Sequence, residues 1–140
     1  MNWRQRLDEY INASIQESLN LEYKRGLSLV GSRRKPVEIA REVSAMANSA
    51  GGTVVFGVKE FDDRPRRHLP EKLEGVSPTE CSRETLEQII VHNISPPLQF
   101  RIESVQIDQP TAGDVAYIVI HDESLPRIHV VRQAIITSGR

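Results

Sequence analysis

The segment that most constrains this chain is residues 36–58, where a helical pattern, two glycines and an apolar run follow one another without a gap. Pro36 suits the first turn of a helix, because its missing N–H would have had no intrahelical partner there. From it Ile39, Ala40, Val43, Met46, Ala47 and Ala50 recur on one helical face, while Glu38, Arg41, Glu42, Asn48 and Ser49 lie elsewhere. Gly51 and Gly52 supply a left-handed C-terminal cap. Thr53-Val54-Val55-Phe56-Gly57-Val58 then reads as one nearly continuous strand, buried on both faces. A chain carrying this unit must pack a helix on a sheet.

The flanking pattern fills in that sheet. Trp3, Leu7, Tyr10 and Ile11 predict an amphipathic helix from Asn2 to about Ile11. Leu19, Leu21 and Tyr23 alternate with Asn20, Glu22 and Lys24, a half-buried strand. Residues 26–35 read as a loop ending in a basic cluster, and residues 59–80, with Pro65, Pro70, Gly75 and Pro78, as an irregular excursion. Ser82 caps a helix whose buried stripe is Leu86, Ile89, Ile90 and Ile94, ended by Pro96-Pro97. Leu98, Phe100 and Ile102 alternate in a strand that Val105-Gln106-Ile107 continues past a bulge. Val115–Ile120 is a central strand, a turn lies around Pro126, and Val130-Val131 precedes a last strand near Ala134–Thr137. Helices and strands do not alternate strictly. The expected class is therefore α+β, a mixed and mostly antiparallel sheet packed with two to three helices. At 140 residues the chain is expected to form one domain, 1–140, with the helix in residues 1–16 as part of it.

Composition narrows the function. One cysteine, Cys81, excludes an internal disulfide framework and a cysteine-cluster zinc site. The apolar runs are too short to span a bilayer, and the polar N-terminus lacks a signal-peptide core, so the expected setting is the cytoplasm. Net charge is −1. Nucleic-acid binding would thus need positive charge concentrated locally. Arg33-Arg34-Lys35 and Arg64-Pro65-Arg66-Arg67-His68 offer it. His68, His92, His121 and His129 show no short metal-ligand spacing, and no phosphate-cradling glycine string ends in Lys and Ser or Thr.

Four residues carry candidate chemistry: Glu17, Glu22, Lys24 and Glu60. Glu22 and Lys24 share a strand face, opposite Leu21 and Tyr23. Glu17 joins them only if a turn separates it from the strand. Glu60 follows the apolar strand at its end. Three carboxylates gathered at a strand end repel one another unless a divalent cation compensates them, and Mg²⁺ or Mn²⁺ prefers such oxygen ligands. Lys24 could then stabilise charge on a phosphate while a metal-bound water attacks it. On spacing alone, scattered glutamates are ordinarily surface residues.

The string E-S-L-N-L-E-Y-K at 17–24, with V-S-A-M-A-N-S-A-G-G-T-V-V-F-G-V at 43–58, resembles the Schlafen AlbA-type domain, long filed as a divergent ATP-binding domain. Leu73-Glu74-Gly75-Val76, Asn93-Ile94-Ser95-Pro96-Pro97 and the closing Pro126, His129 and Val131-Arg132 extend the resemblance over nearly the whole chain. In the RNA-cleaving Schlafen proteins a three-carboxylate metal site acts on structured RNA such as transfer RNA. By that resemblance the metal ligands and catalytic acids are Glu17, Glu22 and Glu60, with Lys24 in the family's E-F-K-like string. The family's third acid is an aspartate two residues after the G-V dipeptide. Here Glu60 stands there, one methylene longer, with Asp62 and Asp63 nearby.

The resemblance implies a metal-dependent endoribonuclease with Mg or Mn as cofactor. RNA is favoured over DNA, with Arg33, Arg34, Lys35, Arg66 and Arg67 holding the backbone. Because the relatives' concave RNA cradle combines two such domains, it also implies a homodimer. The alternatives are a catalytically silent nucleic-acid-binding or transcription-regulatory module, or an ATP-binding or protein-interaction domain.

Overall fold

The structure, a computed structural model, describes residues 2–49, 51–121 and 130–131. Among these residues the fold is α+β, with three helices, a mixed four-stranded sheet and two small two-stranded pairings. The helices are α1 (Trp3–Asn12), α2 (Pro36–Ser49) and α3 (Arg83–Asn93). Strands run β1 (Leu21–Lys24), β2 (Gly52–Phe56), β3 (Val58–Glu60), β4 (Pro70–Leu73), β5 (Ile94–Ser95), β6 (Phe100–Gln106), β7 (Val115–His121) and β8 (Val130–Val131). The main sheet has the order β1-β2-β7-β6; β1 runs parallel to β2 and the other pairs are antiparallel.

Each face of this sheet carries its own core. On one side α2 and α3 cover Val54, Phe56, Tyr117 and Val119 with Ile39, Val43, Leu86 and Ile90. On the other, Leu7 of α1 and the β3–β4 hairpin cover Leu21, Tyr23, Val55 and Ile118. β2 is therefore sandwiched, as its unbroken apolar run requires. The caps follow from local chemistry: Asn2 Oδ1 accepts from the Gln5 N–H at 3.1 Å, and Ser82 Oγ from the Thr85 N–H at 3.0 Å.

The glycine pair closes α2 as expected. Gly51 (φ +73°) donates its N–H back to Met46 O, and Gly52 adopts φ +130°. A Cβ on Gly52 would stand 2.3 Å from Asn20 O, so only glycine lets β2 begin against the turn before β1.

Four expectations change. Leu19 is not a strand residue; it sits in the turn between Ser18 and Leu21 and is 75% exposed. The strand expected through Val58 breaks at Gly57, whose N–H donates to Lys24 O; the chain then leaves the sheet as β3. The excursion at 59–80 is not wholly irregular, because β3 and β4 pair as a hairpin within it. No bulge interrupts β6, which stays in register with β7 from Phe100↔His121 to Gln106↔Val115. The apolar side chains there change phase because Ile102 serves the α3 face while Val105 and Ile107 serve the α1 face. The 26–35 loop contains two short 3₁₀ turns, Gly26–Leu29 and Gly31–Arg33. Ala50, the turn at Pro126, His129, Arg132 and the strand expected at 134–137 lie outside the described residues.

Candidate functional site

β1 is an edge strand, and the candidate chemistry collects along it. The chain leaves α1, pins the Tyr23 hydroxyl to Ile15 O at 2.6 Å, and turns through Ser18–Leu21. That turn supplies the break needed to bring Glu17 back over the strand. Glu17 Oε2 accepts the Tyr23 backbone N–H at 3.0 Å, and its Oε1 lies 3.1 Å from His68 Nδ1. The Glu17 N–H also donates to His68 O, so the loop carrying His68 is fastened to Glu17 twice.

Glu60, on β3, meets Glu17 across this edge. Burial, then a hydrogen bond and the charge of Glu17, push the Glu60 carboxyl up to about 8. Its Oε2 is buried without a hydrogen-bond partner. Glu17, Glu60 and His68 each offer one donor atom, all within 4.8 Å of one another.

Glu22 and Lys24 project to the other face of β1, where α2 presents Glu42. Lys24 Nζ lies 3.3 Å from Glu42 Oε1 and 4.0 Å from Glu22 Oε1. Burial, then a hydrogen bond with Glu42, raises Glu22 to about 8. For Lys24, burial alone would lower the pKa, but the neighbouring Glu42, and then Glu22, outweigh it and raise it. The result is two carboxylate pairs, Glu17–Glu60 and Glu22–Glu42, with Lys24 in the second.

An open pocket of about 490 Å³ adjoins them. Lys24, Arg25, Arg33, Lys59 and Arg67 line it together with Glu60. Most of these cations are already engaged: Arg25 grips Glu74 in a fork of 2.7 and 2.9 Å, and Lys59 contacts Glu71 and Asp62 at 2.6 and 3.3 Å. Arg33 and Arg67 form no ion pair among the described residues. Lys35 lines a smaller adjoining cleft with Glu42.

Of the residues singled out in the sequence, Glu17 and Glu60 come together, as do Glu22 and Lys24. Arg33 and Arg67 reach the pocket. Arg34 turns away to Glu80 O at 3.3 Å, and Arg66 pairs with Asp63 at 2.8 Å. Asp62 and Asp63 are taken up by Lys59 and Arg66. His68 and Glu42 were missed. His68 read as the end of a basic run, because no periodicity marks a loop that folds back 51 residues onto Glu17. Glu42 read as one more polar helix residue, and only the position of β1 beside α2 gives it a partner.

Fold and site together define a small α+β domain with paired carboxylates at a sheet edge beside a basic pocket. The profile of the family described as Schlafen, AlbA_2 matches residues 17–137, and the chain belongs to that family. Family membership implies nucleic-acid binding. Among solved structures, the N-terminal domain of a RecG-related protein from Nitrosomonas europaea is similar. It is 21% identical with a TM-score of 0.52, covering 85% of this chain and 71% of that one, a likeness that speaks to the fold. No curated protein matches.

Proposed function

We propose that this domain binds structured RNA along the β1 edge and cleaves it with a divalent cation, Mg²⁺ or Mn²⁺. The observation that carries the reading is the Glu17–Glu60 pair: burial and the neighbouring Glu17 push the Glu60 carboxyl up, and its Oε2 is buried without a partner. Such a pair is relieved by positive charge, and a cation supplies more of it than a proton does. The donor set fits. Two carboxylates suit Mg²⁺ or Mn²⁺, and the His68 imidazole tilts the choice toward Mn²⁺. Glu17, Glu60 and His68 would hold the ion, and Glu22, on the other face of β1, would act on it only through its charge. Bound there, it supplies Lewis-acid stabilisation of a phosphate oxygen and a more acidic water.

The chain's own residues do the rest. Lys24, held in place by Glu42, offers its ammonium to the charge that develops on the phosphate. Arg33 and Arg67 neutralise neighbouring phosphates and set the position of the strand without reading its sequence. RNA shape then selects the substrate. Self-association belongs to this reading, and sedimentation giving only monomer at tens of micromolar would overturn that part.

The test is cleavage of transfer RNA by the purified chain with Mn²⁺ or Mg²⁺. Glu60→Ala and Glu22→Ala are expected to abolish cleavage while leaving the fold intact by circular dichroism. Lys24→Ala is expected to slow it by about 10²–10³, the usual loss for one charge-stabilising group. Cleavage persisting in Glu60→Ala overturns the site.

One observation favours a second reading, a catalytically silent binding module. Lys24 is engaged by Glu22 and Glu42, and burial with the Glu42 hydrogen bond favours the neutral form of Glu22, so this part of the site balances its own charge. Binding of RNA with no cleavage in either metal would select it.

A further inference from the structure

The metal ligands and Lys24 leave one part of the pocket unexplained, its aromatic wall. Phe61 follows Glu60 directly and lines the pocket. The Arg66 guanidinium lies over that ring, 4.0 Å from its centroid. Arg66 is itself clamped by Asp63 through contacts of 2.8 and 3.1 Å, and the Phe61 N–H donates to Leu69 O. The ring is thus fixed in orientation although it stands on a loop among charged residues. Leu27 also lines the pocket, while the Tyr23 side chain is buried in the core behind it.

The same pocket is lined by Arg33 and Arg67, the cations without an ion pair there among the described residues. One aromatic residue and two arginines lining one pocket match a ligand that carries both a flat ring and an anion. The pocket volume of about 490 Å³ lies inside the roughly 300–1,000 Å³ of small-ligand sites. Polymer strands present that ligand as an unpaired nucleotide, whose base is free to leave the stack and lie on an aromatic or guanidinium plane.

We propose that this pocket takes one unpaired nucleotide of the bound strand, its base against Phe61 and its phosphate against Arg33 and Arg67. This rests on the nucleic-acid reading above but not on cleavage. It makes the protein selective for a bulged or looped nucleotide next to the carboxylate pairs. It also fits a chain with only 5% aromatic residues: one ring serves one base, not a stacking platform.

Fluorescence anisotropy on the full chain, without metal, tests it with three labelled RNA hairpins: one with a single-nucleotide bulge, one with an abasic residue at the bulge, and one fully paired. The wild-type protein is expected to bind the bulged hairpin about tenfold tighter than the other two, the effect of one stacked base. Phe61→Leu, which keeps apolar bulk without a ring, is expected to remove that preference and leave affinity for the paired hairpin unchanged. Phe61→Tyr should keep it. Equal wild-type binding of all three hairpins overturns this inference alone, as does a Phe61→Leu protein that retains the preference. No binding to any hairpin overturns the proposed function as well. Displacement of the bulged hairpin by adenosine monophosphate at concentrations matching its own would reassign the pocket to a free nucleotide and overturn the strand reading.

Discussion

In the absence of a cation, Glu22 and Glu60 are largely carboxylic acids at neutral pH, since both are raised to about 8 from an ordinary 4.5. The folded protein therefore holds protons between pH 4.5 and 8 that the unfolded chain has released. More protons on the folded form mean that stability falls as pH rises through this window. The metal-free melting temperature is expected to decline from pH 5 to pH 8.5, and Glu60→Gln, which mimics the protonated acid, to flatten part of the slope. A melting temperature that rises over that range would contradict the pairing. This scale was also the least legible in sequence. Glu17, Glu22 and Glu60 could be picked out by their place around strands, but their division into Glu17–Glu60 and Glu22–Glu42 depends on which face of β1 each one meets. Neither Glu42 nor His68 carries a local signal of that.

At the scale of elements, the glycine junction between α2 and β2 does more than stop a helix. Gly52→Ala would force a Cβ to within 2.3 Å of Asn20 O at a φ of +130°. Strain of this kind costs roughly 1–3 kcal/mol, and the clash adds to it. Urea unfolding is expected to show a loss of at least that size, whereas Gly31→Ala, with open space around its Cβ position, pays only for its positive φ. This junction was readable from sequence because its causes are local: an apolar stripe of period 3.6, a cap and a β-branched run. The break at Gly57 was not, because what bends the chain there is tertiary. The Gly57 N–H is drawn to Lys24 O, its carbonyl takes the Glu74 N–H, and a Cβ would strike that of Ala116 at 2.6 Å. The hairpin β3–β4 escaped notice for a related reason. Its strands are short, charged on their exposed positions and anchored to the α1-side core by Val58 and Leu73.

For the molecule as a whole, net charge is a poor guide. The chain carries −1 overall, yet Arg33 and Arg67 face one pocket without counter-ions among the described residues. If they contact phosphates, each contributes about one unit to the dependence of log affinity on log salt. The Arg33→Ala/Arg67→Ala variant is expected to bind RNA more weakly and to lose about two units of that slope. The Arg34→Ala variant, whose guanidinium points to Glu80 O, is expected to keep it. An unchanged slope in the double variant would place the strand elsewhere. The sheet edge bears on association in a different way. Three outward-facing groups of β1 are already spoken for: Ser18 exchanges hydrogen bonds with the Leu21 N–H and carbonyl, and the Glu17 side chain accepts the Tyr23 N–H. The carboxylate placed to hold an ion thus also guards an open margin against the addition of a foreign strand. Strand-to-strand pairing of two copies at β1 is disfavoured, and removing Glu17 strips away chemistry and protection together, which makes Glu60 the cleaner residue through which to probe the site.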